Sequence, residues 1–307
     1  MDLSVIIPVY NEEKNIDFLY RELKEHLNFI KKYEIIFVED GSWDRSFKII
    51  QEIAKKDKKV RIVKLKSNYG QSIAIKAGLD VCKGEKIIIM DGDCQHHPRY
   101  IVDFVNKLDD CDVVCNYRKN HRKSSSSIGN FLIRSLFKVK YKDSIGGMKG
   151  LTKQVKEEIY LYGNMHRYLP LLAMWKGFKV GQQPIMLRRR KSGRSHYKLF
   201  KGFKGFIDLL TVKFFVSYST RPSHIFGSAG LLSSGLGGLF FLYFIIQKFF
   251  FGATISDNLP LFLTGILLIL LGFNFIFFGL MGDMMSYNHL SKNNEKNYII
   301  DKIMGKK

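Results

Sequence analysis

The sequence predicts an α/β domain with a mostly parallel sheet, followed by a two-helix membrane hairpin. Three observations carry this. Short apolar runs alternate with helical periodicity over residues 1–185, and two long stretches near the carboxyl end, 225–247 and 258–282, contain no Asp, Glu, Lys or Arg. The chain of 307 residues has a net charge of +21, and ten basic residues against one acid fall between Met186 and Arg221, directly before the first uncharged stretch. Strands alternating with helices bury their apolar faces best as a parallel sheet covered by helices. At ~1.5 Å rise per residue, ~20 apolar residues cross a ~30 Å hydrocarbon layer. Basic residues beside a span hold that side in the cytoplasm and attract anionic lipid. The mean hydropathy of −0.08 averages these two unlike parts.

Taken in order, the expected strands are Leu3–Pro8, Glu34–Glu39, Arg61–Leu65, Lys86–Met90 and Asp112–Asn116. The expected helices are Glu12–Ile30, Asp44–Lys56, Gln71–Cys82 and Pro98–Leu108. Ser124–Ser127 is a polar run suited to a loop. From Lys198 to Tyr218, Leu199, Phe200, Phe203, Phe206, Ile207, Leu210, Phe214 and Phe215 recur at helical spacing among lysines. That pattern fits a basic amphipathic helix in the membrane interface; a helix packed on the preceding domain is the alternative. Arg221-Pro222 ends it. The residues between the uncharged stretches, Lys248–Asp257, form a tight outer turn. An even number of spans and a basic carboxyl-terminal tail put both termini in the cytoplasm. The amino terminus runs straight into a strand, so no cleaved signal is expected. Cys82, Cys94, Cys111 and Cys115 match no zinc spacing and read as reduced thiols of a cytosolic domain.

In parallel sheets, ligands bind outside the carboxyl ends of the strands. There the sequence collects acids. Pro8, Tyr10, Asn11 and Glu12 follow the first strand; Glu39, Asp40, Gly41, Ser42 and Asp44 follow the second; Asp91, Gly92, Asp93, Cys94 and Gln95 follow the fourth. Carboxylates gathered at one edge repel unless a cation or hydrogen-bond donors bind among them. Asp91-Gly92-Asp93 suits Mg²⁺ or Mn²⁺, which take one or two carboxylates and fill their remaining positions with water and phosphate oxygens. A Tyr ring and carboxylates in the first two loops suit a nucleotide. Glu39-Asp40-Gly41-Ser42 also reads as a turn and helix cap, and both readings hold together.

These motifs resemble the successive motifs of family 2 glycosyltransferases: Val5-Ile-Ile-Pro-Val-Tyr-Asn-Glu-Glu13, Val38-Glu-Asp-Gly-Ser-Trp-Asp44, Asn68-Tyr-Gly-Gln-Ser-Ile-Ala-Ile-Lys-Ala-Gly78 and Met90-Asp-Gly-Asp-Cys-Gln-His-His-Pro98. Within that family they look most like the polyprenyl-phosphate glycosyltransferases, relatives of dolichol-phosphate mannose synthase. The likeness continues through Asp143-Ser-Ile-Gly-Gly-Met-Lys149, Arg190-Lys-Ser-Gly-Arg-Ser-His-Tyr197 and Ser219-Thr-Arg-Pro222.

The resemblance implies a GT-A fold, a divalent metal, a nucleotide-sugar donor and a polyprenyl phosphate acceptor. It implies that Pro8, Tyr10, Glu12 and Asp40, with Glu39 and Asp91 beside them, serve the nucleotide. Asp91, Asp93 and Gln95 match the metal and diphosphate motif. Arg118, Lys149 and Arg190 fall where basic residues face the acceptor phosphate or donor diphosphate, and Ser195 and Tyr197 lie in a loop that closes over the site. Asp93 and Arg190 are the expected catalytic residues. The sequence departs from the family at Glu39 (usually Asp), Lys149 (usually Arg), His96-His97 (often an acid and Pro) and His196 (commonly Lys). Adjacent imidazoles usually point apart, so His96 and His97 are not counted among the metal ligands.

The expected organisation is a cytoplasmic GT-A domain over 1–197, an interfacial helical region over 198–222, a transmembrane hairpin over 223–290 and a basic tail over 291–307, in the plasma (inner) membrane. A processive polysaccharide synthase would carry a Gln-x-x-Arg-Trp box, and neither Trp43 nor Trp175 ends one. A tethered, non-catalytic nucleotide-sugar binder would be expected to lose the Asp-x-Asp pair, which is intact. Nucleic-acid binding has only the charge in its favour and is not expected. The sugar, the base, the lipid length and the oligomeric state, a homo-oligomer included, stay open.

Overall fold

The computed structural model describes residues 1–118, 133–135, 137, 139, 146–159, 165–188, 209, 211–214, 222–252, 254 and 258–293, the last eight by backbone alone. The chain divides into two compact units, Met1–Val212 and Lys213–Lys307.

The first unit is built on β1 (Leu3–Val9), β2 (Tyr33–Glu39), β3 (Val60–Lys64), β4 (Lys86–Ile89), β5 (Val113–Arg118), β6 (Lys149–Thr152) and β7 (Val180–Ile185), in the sheet order β3-β2-β1-β4-β6-β5-β7. The pairs β1–β2, β1–β4, β2–β3 and β5–β7 are parallel. The central strands carry nearly unbroken apolar runs because helices cover both faces; every residue of β2 is buried. Helices α1 (Ile16–Leu27), α2 (Ser46–Lys56), α3 (Gln71–Val81) and α4 (Tyr100–Lys107) are the crossovers. Leu19, Leu23 and Leu27 of α1, Ile50 and Ile53 of α2 and Phe104 of α4 are buried in one core with Val5, Ile7, Ile35, Phe37 and Ile88.

All five expected strands and all four expected helices are present. β6 and β7 add to them. β6 runs antiparallel to both β4 and β5 and fills the space between them. Its four residues, Lys-Gly-Leu-Thr, contain no apolar run, and β7 has two glutamines and a proline on the sheet's edge, where a missing N–H is tolerated. α1 starts four residues later than expected, because Asn11–Asn15 are drawn into a loop described below. Of the residues after β6, α5 (Lys153–Glu158), a 3₁₀ turn (Met165–Tyr168) and α6 (Leu169–Trp175) are described. No disulfide joins the four cysteines, and Cys82, Cys94 and Cys115 are buried.

In the second unit, α7 (Ser223–Phe251) and α8 (Leu259–Asn293) pair along their length. Both are long and apolar enough to cross a membrane, over Ser223–Phe251 and Leu259–Met285. Twenty-nine residues make a helix of roughly 43 Å, longer than the ~30 Å hydrocarbon layer. Their apolar surface lies mostly outward, unlike a soluble protein's core helices: Leu231, Leu239, Phe249, Leu267 and Phe273 are all exposed. Contact between the helices runs along small residues. A Cβ on Gly230 would meet the Gly272 carbonyl at 2.6 Å, and one on Gly237 would meet that of Gly265 at 2.7 Å. In lipid, with no hydrophobic drive between helices, close backbone packing of this kind holds them together. Asp283 accepts a hydrogen bond from the Ser223 N–H at 3.1 Å, giving an otherwise orphaned donor of the first turn a partner.

Candidate active site

The carboxyl ends of β1, β2 and β4 open onto a cleft of about 380 Å³ lined by Pro8, Tyr10, Glu12, Asp40, Asn68, Gly70, Gln71, Asp91 and Asp93, among others. Two of its walls are stitched to each other. The backbone N–H groups of Asn11, Glu12 and Glu13 donate to the side chains of Ser42 (3.1 Å), Ser46 (2.9 Å) and Asp44 (3.1 Å). In return the Trp43 and Arg45 N–H groups donate to Asn11 Oδ1 (3.1 Å) and Glu13 Oε2 (3.2 Å). The loop after β1 therefore cannot start its helix at Glu12, and Asn11 takes a left-handed φ of +56° to make the turn. Gly41 lies against the third wall: its φ is +69°, and a Cβ there would meet the Asn68 nitrogen at 2.5 Å. A glycine is required on both counts.

Glu39 and Asp40 divide their work. Glu39 turns back to accept the Ser42 N–H and is not among the residues lining the cleft, so it sets the turn. Asp40 lines the cleft, and its two oxygens accept the Tyr69 and Gly70 N–H groups at 2.8 and 2.9 Å. Burial raises the Asp40 carboxyl above its ordinary pKa; those two hydrogen bonds oppose the shift and the Glu39 charge adds to it. Tyr10 is half-exposed, its ring available to the cleft.

Past β4 the chain folds back sharply. Cys94 has a φ of +59°, rare for a residue with a side chain. Asp91, Asp93 and His96 consequently converge, their potential ligand atoms all within 4.8 Å of one another. The Gln71 amide donates to Asp91 Oδ1 at 2.7 Å. The Gln95 N–H donates to Asp93 Oδ1 at 3.1 Å, and its carbonyl accepts the Arg188 N–H at 3.0 Å. The two adjacent imidazoles do point apart: His97 meets the His26 ring edge to face at 5.0 Å. But His96 turns inward, 5% exposed, beside the carboxylates. Its Nδ1 has no hydrogen-bond partner. Burial lowers the His96 pKa; Asp91 and Asp93 pull it back, and Lys149 and Arg118 push it further down. Two carboxylates beside an unpartnered imidazole nitrogen are a donor set that fits a divalent cation.

Lys149 in β6 is buried, with Nζ donating to the Gly146 carbonyl at 2.6 Å. Its charge is held inside the domain, close enough to depress both His96 and His166. Arg118 ends β5, half-buried, on the same side. Arg190, Ser195 and Tyr197 lie outside the described residues. Two residues before Arg190, Arg188 is fixed by its N–H to Gln95 and by Nη1, 2.8 Å from both carboxylate oxygens of Glu22. Arg188 is therefore tied to the loop that carries Asp93 and Gln95. Of the 198–222 region, Leu209 and Val212 are buried and the remainder is almost wholly outside the described residues.

Three cleft-lining residues, all within the Asn68–Gly78 motif, carry no assigned role in the sequence reading. Asn68, Gly70 and Gln71 line the cleft, and the rule that found the other loops would have found them, since they follow β3. Outside the cleft lining, His166 sits in the 3₁₀ turn, 2.5 Å from the Ser72 hydroxyl, with its pKa lowered by burial to about 3.

A mostly parallel sheet with an inserted antiparallel strand, nucleotide-sized cleft and acid pair after β4 define a GT-A-like glycosyltransferase. The chain belongs to glycosyltransferase family 2, whose model matches residues 4–158. It is 30% identical to the dodecaprenyl-phosphate galacturonate synthase of Rhizobium johnstonii, across 99% of this chain and 93% of that one. It is 28% identical to the undecaprenyl-phosphate 4-deoxy-4-formamido-L-arabinose transferase of Pseudomonas fluorescens, across 98% and 90% of the two chains. Among solved structures, the fold matches glucosyl-3-phosphoglycerate synthase from Mycobacterium tuberculosis in complex with Mn²⁺, UDP and phosphoglyceric acid. The TM-score is 0.57 at 17% identity, covering 69% of this chain and 78% of that one.

Proposed function

We propose that the protein transfers a sugar, with inversion, from a nucleotide-sugar donor (a UDP- or GDP-hexose) to a membrane polyprenyl phosphate, undecaprenyl or dolichyl phosphate. The products are a polyprenyl-phosphate sugar and a nucleoside diphosphate. The observation that carries this reading is the end-to-end likeness to a dodecaprenyl-phosphate galacturonate synthase, spans included, in a chain that keeps its acid pair at the cleft.

In this reading Pro8, Tyr10, Glu12 and Asp40 hold the nucleoside. Glu39 shapes that pocket through its turn. Asp91 and Asp93, with Gln95, would hold Mg²⁺ or Mn²⁺. When bound, the ion offsets the charge that develops on the leaving diphosphate. The acceptor needs no strong base, because a phosphate monoester with a second pKa near ~6 is already a nucleophile at neutral pH. What the chain must supply is alignment of a phosphate oxygen with the anomeric carbon. Arg118, Lys149 and Arg190 offset the repulsion between two anionic reactants, and the loop with Ser195 and Tyr197 closes over them.

Donor identity is tested by presenting radiolabelled nucleotide sugars to the detergent-solubilised protein with a short polyprenyl phosphate. The expected product is label extracted into organic solvent with one donor. Label recovered only as free sugar, or as polymer, with every donor would refute acceptor transfer.

The same reading places residues 1–224 and the tail from Asp283 in the cytoplasm of a cell bounded by the plasma (inner) membrane, with Lys248–Asp257 outside. Ser256→Cys in a cysteine-free background should react with an impermeant maleimide in intact cells. Reaction only after permeabilisation would reverse the topology.

A further inference from the structure

We infer that His96 is a third protein ligand of the divalent cation and that its imidazole makes the site prefer Mn²⁺ to Mg²⁺. The inference rests on the reading of Asp91 and Asp93 as metal carboxylates and adds a nitrogen to that set.

The backbone is bent to bring His96 there. After β4 the chain would run on past the sheet edge, but Cys94, buried and left-handed, reverses it, and its thiol points to the Asn15 carbonyl at 3.5 Å. His96 thus returns to Asp91 five residues after leaving it, with Nδ1 3.8 Å from Asp91 Oδ2. That separation is too long for a hydrogen bond. It is the right size for two ligands of one ion: donors ~2.1 Å from a common cation stand about 3.0 Å apart when adjacent and about 4.2 Å when opposite.

Two further observations point to a ligand and not to simple packing. A buried imidazole nitrogen normally finds a partner, and Nδ1 of His96 has none. The loop entering β6 also comes so close that a Cβ on Gly147 would sit 2.2 Å from Asp91 Oδ2 and 2.6 Å from His96 Cε1. Any other residue would push the carboxylate and the ring out of place. His97, its neighbour in sequence, faces His26 and supplies an internal control.

The consequence is selectivity. Mg²⁺ prefers an all-oxygen shell of near-ideal octahedral geometry, whereas Mn²⁺ accepts imidazole more readily. An oxygen–oxygen–nitrogen set therefore favours the transition metal.

The test uses the full chain in detergent with Mn²⁺ alone. Bound Mn²⁺ should show ¹⁴N modulation in pulsed electron paramagnetic resonance, changing to the ¹⁵N pattern when histidine is ¹⁵N-labelled. His96→Gln should abolish the modulation and weaken Mn²⁺ binding about tenfold or more, with a much smaller change in Mg²⁺ competition. His97→Gln should alter neither. His96→Asp, which restores an oxygen ligand, should still bind but shift the preference toward Mg²⁺, and it keeps the test open if His96→Gln folds poorly. Mn²⁺ that binds without nitrogen coupling would overturn the role of His96 and leave the carboxylate site standing. Mn²⁺ that does not bind even at saturating concentration would overturn both.

Discussion

Strand β2 carries a buried glutamate near each end, and the two ends of the sheet treat buried acid in opposite ways. At the amino edge, Glu34 accepts the Ser4 hydroxyl, the Lys83 N–H and the Arg61 guanidinium, each at 2.7 Å. Burial alone would raise its pKa; those three donors outweigh burial and hold the carboxyl below the usual range. At the carboxyl edge, Asp40 has only two backbone donors and its pKa stays raised, while Asp91 and Asp93 converge with His96. The first edge completes its hydrogen bonding within the fold. At the second, Glu39 accepts the Ser42 N–H and sets a turn, while Asp40, Asp91 and Asp93 line the cleft. Glu34 and Asp40 are therefore shifted in opposite directions: three donors outweigh burial at Glu34, and two backbone donors do not at Asp40.

The largest expected effect breaks the carboxyl edge alone. Asp93→Ala should lower turnover by about 10³-fold or more, roughly 4 kcal/mol of transition-state stabilisation. Removing one of two crowded carboxylates should move stability by less than about 1 kcal/mol. Steady-state rates with saturating metal, read beside the thermal midpoint, decide it, and near-normal turnover would remove Asp93 from the mechanism. The mirror experiment breaks the amino edge. Glu34→Ala leaves Ser4, the Lys83 N–H and Arg61 without their acceptor and should cost about 3 kcal/mol of stability. The enzyme that remains folded should keep its turnover number; a matching loss of turnover would mean the two edges are not independent.

Arg190→Lys probes whether Arg190 belongs to the site. A bidentate contact to phosphate lost to a point charge should cost roughly 1.5–3 kcal/mol, at least about tenfold in turnover. The rate is measured in neutral detergent, where no anionic lipid is present; an unchanged rate would make Arg190 a headgroup contact only.

The smallest effect is a slope. His166 titrates near 3 in the folded chain against 6.5 ordinarily, so the folded state binds fewer protons between those values. Its contribution to stability is present above about pH 6.5 and drains as pH falls toward 3, by about 1.4 kcal/mol per pH unit. His166→Gln should flatten the stability profile in that window. Glu34, whose pKa is lowered, acts further down: its contribution is present above about 4.5, its ordinary value, and is lost below. A profile for His166→Gln as steep as the parent's would show that His166 does not titrate as its burial requires.

The sequence by itself determined the parallel core, the uncharged spans and the position of acids after β1, β2 and β4. Those features are local: an apolar run, a helical period or a polar residue after a strand can be read without knowing what lies beside it. The departures arise where distant segments meet. β6 is too short and polar to announce itself; it becomes a strand because β4 and β5 leave a gap with unpaired backbone groups on both sides. That insertion brings Gly147 against Asp91 and buries Lys149. The late start of α1 follows from five hydrogen bonds to a loop some thirty residues away. Likewise, the rule that adjacent imidazoles diverge was right for His96 and His97, but it could not say which would face the carboxylates. The left-handed turn at Cys94 decided that, and a backbone reversal held by buried packing is written in no single stretch of sequence.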